Sequence, residues 1–520
     1  MANLTRRQWL SLAAGGGILA RPARSAPARP VNFVFFLIDD LGWADIGCFG
    51  SRYHETPNID ALCRRGMKFT NGYAAAPVCS PTRASIMTGK YPARLRMTDI
   101  IQGHPATPGH PLEPPEVEKA LPLKEVTLAE ALKSAGYVTA SIGKWHLGAK
   151  GFYPEDQGFD VSVGGNHVGM TNDFFYPGWK DARAGGQRVL RRFGSADALT
   201  GVPLDGRPGE YLTDRLTNVA VQFIEDNKER PFFLYLSHYA VHIPIQAPKD
   251  LIAKYERKAS RDNPQHNPVY AAMVEAVDRG VGKVTAKLRE LGLDGRTVIF
   301  FMSDNGGLLT PQPPNNLPPT SNLPLREGKG HLYEGGIREP LIIVWPSAVR
   351  PGSVCDTPVI SNDFYPTIVE IAGLRNDPGS PLDGLSLVPL LWQTGKLKRD
   401  TLYWHWPHYA IPGAAPGSAI RRGNFKLIEF FEDGRVELYN LAEDPGEKND
   451  LAGAMAAKKD DLLNALRRWR QSLDAGMMRK RGQTHFPAFA GRAEICLTDR
   501  PPSATIFKSV LAVVGSAVAG

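Results

Sequence analysis

Four short apolar runs, each ending in polar residues, mark out the first part of the chain. Residues 31–38 run into Asp39 and Asp40, residues 137–142 into Lys144 and His146, residues 232–236 into His238 and His242, and residues 298–302 into Asp304 and Asn305. Runs this short, rich in β-branched and aromatic side chains, predict buried strands. Amphipathic spacing over 127–134, 211–226 and 270–291 predicts helices between them. Strands alternating with helices imply an α/β fold, a large and mostly parallel sheet sandwiched by helices. Ligands of such sheets sit beyond the carboxyl ends of the strands, so four strand ends would bring carboxylates, an amide, a lysine and histidines to one edge. Polar residues begin most loops, but that plainer explanation covers one or two of these ends better than all four.

Residues 308–325, rich in Pro, Asn and Leu, read as an irregular loop. From about Thr401 the pattern changes. Residues 419–431 and 436–440 alternate as antiparallel strands do around the turn Glu432-Asp433-Gly434, and a helix follows with Leu462, Leu463, Leu466, Trp469 and Leu473 on one face. The expected organisation is an N-terminal segment over 1–28, an α/β domain over 29–400, a smaller C-terminal α+β subdomain with a short antiparallel sheet over 401–482, and an irregular tail over 483–520.

Composition narrows the function classes. With 520 residues, 42% hydrophobic and 22% charged, the chain has material for one large domain and an accessory one, and is neither disordered nor fibrous. The formal charge of +8 falls to +4 once Arg6, Arg7, Arg21 and Arg24 are set aside. Over such a length that is too little to point to nucleic acid. The first residues carry Arg6-Arg7, an apolar stretch to Ala20 and a small-residue site at Ala26-Pro27-Ala28. This is the pattern of a twin-arginine export signal, which predicts a periplasmic or secreted protein folded before transport. The apolar stretch is too short and glycine-rich to span a bilayer, and stable membrane insertion is not expected.

Five cysteines, Cys48, Cys63, Cys79, Cys355 and Cys496, form no C-x-x-C pair and no zinc-finger spacing. An odd count in an exported protein points to a special role for one of them, while pairing among the other four is not readable from spacing. Cys79-Ser80-Pro81-Thr82-Arg83 opens a predicted short helix with Ser80 as N-cap, Pro81 in the first turn and Gly89 as its stop. Cys79 would then sit at the positive end of a helix, a cradle for sulfate or phosphate, with Arg83 on the same face and able to pair with whatever Cys79 carries. On these residues alone, a nucleophilic thiolate beside an anion-binding arginine and a buried structural cysteine both stay open.

The core Cys79-x-Pro81-x-Arg83, with Thr88-Gly89 and Tyr91-Pro92-Ala93-Arg94 downstream, resembles the signature of the type I, formylglycine-dependent sulfatases of the alkaline phosphatase superfamily. The resemblance extends through Asp39-Asp40-Leu41-Gly42, Gly143-Lys144-Trp145-His146-Leu147-Gly148, Ala240-Val241-His242-Ile243-Pro244, Ser303-Asp304-Asn305-Gly306 and Gly328-Lys329-Gly330. It implies hydrolysis of sulfate esters to an alcohol and inorganic sulfate. It also implies that a formylglycine-generating or equivalent maturation enzyme oxidises Cys79 to 3-oxoalanine, and that Asp39, Asp40, Asp304, Asn305 and the modified Cys79 hold Ca²⁺, with Mg²⁺ as the alternative. Carboxylates with an amide oxygen do suit a hard cation. In the implied mechanism the hydrated aldehyde, its ionised form favoured by the metal and Arg83, attacks sulfur. Lys144 and Lys329 bind sulfate oxygens, His242, assisted by Lys329, protonates the leaving oxygen, and His146 helps to release sulfate. His238 has no role in that pattern.

The segment Tyr403-Trp404-His405-Trp406-Pro407-His408-Tyr409 gathers aromatic faces and imidazoles that suit a sugar ring. His405 and His408 are therefore substrate-binding candidates, with packing between domains as the alternative. A sulfated carbohydrate is the expected substrate and a small aryl sulfate the alternative. A phosphonate monoester hydrolase or phosphodiesterase of the same superfamily is the nearest rival, against which Lys144, His146 and Lys329 in sulfatase-like contexts speak. A non-catalytic binder of sulfated glycans would have lost the nucleophile or a metal ligand, and none is lost.

Overall fold

The computed structural model describes residues 30–482, apart from 105–108, 182, 185–186, 189–191, 194–205, 259–261, 376–380 and 411–412. The expected export segment 1–28 and tail 483–520 lie outside the described residues. Seven strands build the main sheet, with short strands at either side: β1 (Asn32–Ile38), β2 (Met67–Tyr73), β3 (Val138–Gly143), β4 (Val161–Val163), β5 (Phe232–Ser237), β6 (Thr297–Ser303) and β7 (Arg338–Val344). They lie in the order β2-β7-β6-β1-β5-β3-β4. The four strands expected from the apolar runs are the central neighbours β6, β1, β5 and β3, all parallel. β7 is antiparallel to both β6 and β2, so β2 points the same way as the parallel set.

β1 is buried along its whole length because both faces of the sheet are covered. Val34, Phe36 and Ile38 enter one core, shared with Leu216 and Phe223 of a helix at Leu212–Asp226 and with Tyr270 and Val277 of a helix at Pro268–Glu290. Phe33, Phe35 and Leu37 enter the other, with Ala84 and Met87 of α1 (Cys79–Thr88) and Leu128 and Leu132 of α2 (Leu128–Ser134). Local signals fix the ends. Thr127 Oγ1 accepts the Glu130 N–H at 3.2 Å while Glu130 accepts the Thr127 N–H at 2.7 Å, capping α2. Gly89, at φ +70°, stops α1 as expected.

The C-terminal part is a four-stranded antiparallel sheet of β8 (Thr401–Trp406), β9 (Gly417–Arg422), β10 (Phe425–Phe430) and β11 (Val436–Asn440) in that order. The alternating run 419–431 is thus two strands, because Gly423, at φ +58°, and Asn424 make a two-residue turn between them. The aromatic segment from 403 to 406 is part of β8 at the side of this sheet. Leu462 and Leu466 of α3 (Ala456–Ser472) pack on Ile420, Leu427 and Leu438. On the other face Trp404, Ala419 and Ile428 pack with Tyr73 and Ile337 beside the main sheet.

Candidate active site

Hydrogen bonds between the segments leaving β1, β3, β5 and β6 gather their polar residues. The Asp304 N–H donates to the Ile38 carbonyl at 3.1 Å, Val241 N–H to the Asp39 carbonyl at 2.9 Å, and Lys144 N–H to the Ser237 carbonyl at 2.7 Å. Two contributors were not visible as ends of apolar runs. β2 leads through residues 74–78 into Cys79. The loop carrying Lys329 enters antiparallel β7 and so arrives at the same edge, where the Lys329 N–H donates to Gly307 O at 3.2 Å and the Gly330 N–H to Pro77 O at 2.8 Å. The approach demands glycine: a Cβ on Gly143, at φ +102°, would lie 1.9 Å from the Ser237 carbonyl oxygen. Asp40 and His146 take φ +61° and +59°, a conformation that costs a non-glycine residue about 1–3 kcal/mol.

Cys79 is the first residue of α1. The cap is Val78, not Ser80 as expected, because the Ser80 hydroxyl is turned to the His146 carbonyl at 2.8 Å. The Cys79 thiol donates to Asp39 Oδ1 at 3.5 Å, and burial pushes it up to about 12. Burial thus favours the neutral thiol of the unmodified side chain over its thiolate. Arg83 is buried beside Asp39 and Asp304. Its hydrogen bonds go to Asp304 Oδ2, from Nε at 2.9 Å and Nη2 at 2.7 Å, and from Nη1 to the Lys144 carbonyl at 3.1 Å and Ser237 Oγ at 2.5 Å. A buried guanidinium is stable only beside a carboxylate, and Asp304 supplies it.

Lys144 Nζ lies 2.6 Å from Asp39 Oδ2, and Lys329 Nζ 2.8 Å from Asp40 Oδ2. His242 donates from Nδ1 to the Ile243 carbonyl at 2.8 Å and sets Nε2 3.6 Å from Asp40 Oδ2. His146 places Nε2 2.7 Å from Gln102 Oε1, and its Nδ1 is buried without a partner. The structure thus brings Asp39, Asp40, Cys79, Arg83, Lys144, His146, His242, Asp304, Asn305 and Lys329 together. Gln102 and Ser237 join them without having been singled out in the sequence.

Three carboxylates face three cationic side chains here. Burial, with the Asp304 and Asp40 carboxylates adding to it, pushes Asp39 up to about 7 against the pull of Lys144. Asn305 donates from Nδ2 to Asp40 Oδ1 at 2.7 Å, while its Oδ1 is buried with no donor to meet it. Ligand atoms of Asp39, Asp40, Cys79 and His242 lie within 4.8 Å of one another. An orphaned amide oxygen beside clustered buried carboxylate oxygens fits a hard divalent cation.

The remaining candidates stand apart from this cluster. His405 spends Nδ1 on Ser418 Oγ at 2.7 Å and Nε2 on the Gly476 carbonyl at 2.8 Å, so neither nitrogen is left for a sugar. His408 sets Nε2 2.9 Å from Thr98 Oγ1 and lines a cavity of about 310 Å³ with Asp99, His104 and Lys119.

Residues 31–374 match the family model described as sulfatase, and residues 328–472 match that of the N-sulphoglucosamine sulphohydrolase C-terminal region. The chain is 34% identical over 511 residues to a sulfatase of Formosa agariphila, spanning 86% of this chain and 89% of that protein. It is 32% identical over 491 residues to arylsulfatase A of Homo sapiens, with the same coverage of 86% and 89%. The crystal structure of Ps i-CgsB is similar with a TM-score of 0.71 and 31% identity, over 85% of this chain and 93% of that one. Ps i-CgsB is also solved in complex with k-i-k-neocarrahexaose.

Proposed function

The chain belongs to the sulfatase family and is a sulfuric ester hydrolase, and from that premise we propose that it desulfates a carbohydrate through a formylglycine formed at Cys79. Asp39, Asp40, Asp304, Asn305 and residue 79 would hold Ca²⁺, or alternatively Mg²⁺. The observation that carries this reading is the set of oxygen donors, lysines and two imidazoles around a cysteine whose own thiol is held neutral.

When present, the hydrated aldehyde supplies the nucleophile and the cation stabilises its charge. The side chains supply the rest. Arg83 holds Asp304 in place through Nε and Nη2. The Lys144 and Lys329 ammonium groups bind sulfate oxygens and offset charge that shifts to the leaving group. Three acidic and three basic side chains cancel, so a divalent cation, less the one negative charge of the ionised hydrate, would leave the site with a surplus of one positive charge, suited to an anionic ester. His242 commits Nδ1–H to the Ile243 carbonyl, so it would donate a proton to the departing alcohol oxygen from Nε2 only as the imidazolium, which the Asp40 carboxylate 3.6 Å from Nε2 favours against the pull of burial. His146 takes a proton at Nδ1 as sulfate leaves.

The likeness to Ps i-CgsB, solved with an oligosaccharide, supports a sulfated sugar as substrate, and the cavity beside His408 has room for part of one. The Arg6-Arg7 segment supports export, and no helix among the described residues is long and apolar enough to cross a membrane. The test is co-expression with a formylglycine-generating enzyme, then mass spectrometry of the peptide containing Cys79 and parallel assays on p-nitrophenyl sulfate, a phenylphosphonate ester and sulfated saccharides. The reading expects conversion of the thiol to the aldehyde, preference for sulfate over phosphonate, and no turnover by Cys79→Ala. An unmodified thiol, or faster phosphonate cleavage, would overturn it.

A further inference from the structure

The chain beyond α1 carries a side chain, Gln102, that reaches one of the two imidazoles of the site. Gln102 Oε1 lies 2.7 Å from His146 Nε2. Its own amide nitrogen donates to the His167 carbonyl, which decides that the oxygen faces the ring. An amide oxygen only accepts, so His146 Nε2 carries the proton and the neutral ring is the Nε2–H tautomer. The lone pair is then on Nδ1, which is buried with no protein partner and lies within the field of Lys144, Arg83, His242 and Lys329.

The turn around Gln102 is anchored on both sides. Asp99 accepts the Ile100 N–H at 2.8 Å and the His104 N–H at 2.7 Å, and lies 2.6 Å from His104 Nδ1. Thr98 Oγ1 meets His408 Nε2. The Ile101 N–H donates to Ser80 Oγ at 3.3 Å, and that hydroxyl donates to the His146 carbonyl. His146 is thus tied through both its carbonyl and its ring to elements that flank Cys79. Its ring also lies against Gly169, where any Cβ would fall 2.4 Å from Cε1.

We propose that Gln102 is a positioning residue that fixes His146 as the Nε2–H tautomer and thereby makes Nδ1 the atom that takes the proton during sulfate release. The proposal rests on the role given to His146 above. The ring nitrogen that acts in catalysis is set by the hydrogen bond made by the other one, and losing such a partner costs an active site about ten- to a hundredfold.

The experiment compares Gln102→Leu, which offers no acceptor, with Gln102→Glu, which keeps an oxygen at the same reach. On p-nitrophenyl sulfate the leucine variant is expected to lose about ten- to a hundredfold in kcat with KM within about twofold, and the glutamate variant to recover most of that kcat. Independently of turnover, NMR of protein labelled with ¹⁵N-histidine, with His146 assigned by its absence in His146→Ala, is expected to show the Nε2–H tautomer in the unmodified sequence and a tautomer mixture in Gln102→Leu. An unchanged kcat in Gln102→Leu, no recovery in Gln102→Glu, or an Nδ1–H ring in the unmodified sequence would overturn the proposal. Full activity in His146→Ala would instead overturn the role of His146 itself, leaving the tautomer result to judge Gln102.

Discussion

Four histidines in this chain differ in what their ring nitrogens touch, and that difference matches the division between those given a role in the proposed mechanism and those without one. His146 and His242 each commit one nitrogen; the other is buried and unpaired in His146 and lies 3.6 Å from Asp40 Oδ2 in His242. His405 commits both, and His238, fully buried, has neither paired. Burial pulls His238 down to about 4, below the value near 6.5 of a free imidazole. A depressed pKa means stability that is present above the unfolded value and lost as pH falls from 6.5 toward 4, at about 1.4 kcal/mol per pH unit. His238→Leu is therefore expected to leave turnover unchanged and raise stability at pH 7.5 by about 1 kcal/mol, since two unpaired polar atoms go. It should also lessen the loss between pH 6.5 and 4.5 by about 2 kcal/mol, read from urea unfolding at the three pH values. A second residue-scale expectation concerns Asn305 Oδ1. Ca²⁺ should raise the thermal midpoint, EDTA should reverse the rise, and Asn305→Ala should shrink it, because a ligand that binds only the folded state stabilises by mass action. At this scale the oxygen donors were legible because they directly follow apolar runs. Gln102 was not, since its partner lies 44 residues away and no local pattern marks it.

Elements place these residues, and here the sequence was informative about the strands but not about the direction of every one. The parallel alternation around β1, β3, β5 and β6 could be read from apolar runs joined by helices. The antiparallel insertion of β7 between β6 and β2 could not, because its stretch Leu341–Val344 is as apolar as a parallel core strand and direction leaves no trace in composition. That insertion is what brings Lys329 to the edge, and the parallel run of β2 is what brings Cys79. Close packing of neighbouring strand ends makes a prediction at this scale. Gly143→Ala would drive a methyl group into the Ser237 carbonyl in a backbone conformation that alanine resists. The strand end must shift and carry Lys144 with it, costing about 3 kcal/mol of stability and at least about a hundredfold in kcat. Gly136, at φ +81° with nothing within 4 Å of an added Cβ, is the control. Gly136→Ala should cost about 1–2 kcal/mol from conformation alone and leave kcat intact. Equal losses of kcat in the two variants would show that contact with Ser237 is not what holds Lys144.

Across the whole molecule, a buried charge network ties the C-terminal sheet to the active edge. Lys426 of β10 bridges Glu334 at 3.0 Å and Glu447 at 2.9 Å, with all three side chains fully buried. Glu447 accepts the Glu334 N–H at 2.6 Å, and Glu334 accepts the hydroxyl of Tyr73, the last residue of β2, at 2.7 Å. Glu334 begins the short helix Glu334–Ile337 just beyond the Lys329 loop. The sequence pattern set residues from 401 onward apart, because alternation and turn spacing are local signals. It was silent on this link, whose partners lie 92 and 113 residues apart. Lys426→Met removes the cation from between two buried carboxylates and should cost about 3–5 kcal/mol. Adding Glu447→Gln to that variant removes one of the stranded charges and should restore part of the loss, which denaturant unfolding of the single and double variants measures. The kinetics carry the second half of the argument. If Glu334 holds the Lys329 loop against Gly307 and Pro77, the folded fraction of Lys426→Met should turn over sulfate ester more slowly, because Lys329 is misplaced. If the C-terminal sheet only covers the edge of the main sheet, stability should fall while kcat per folded molecule stays the same.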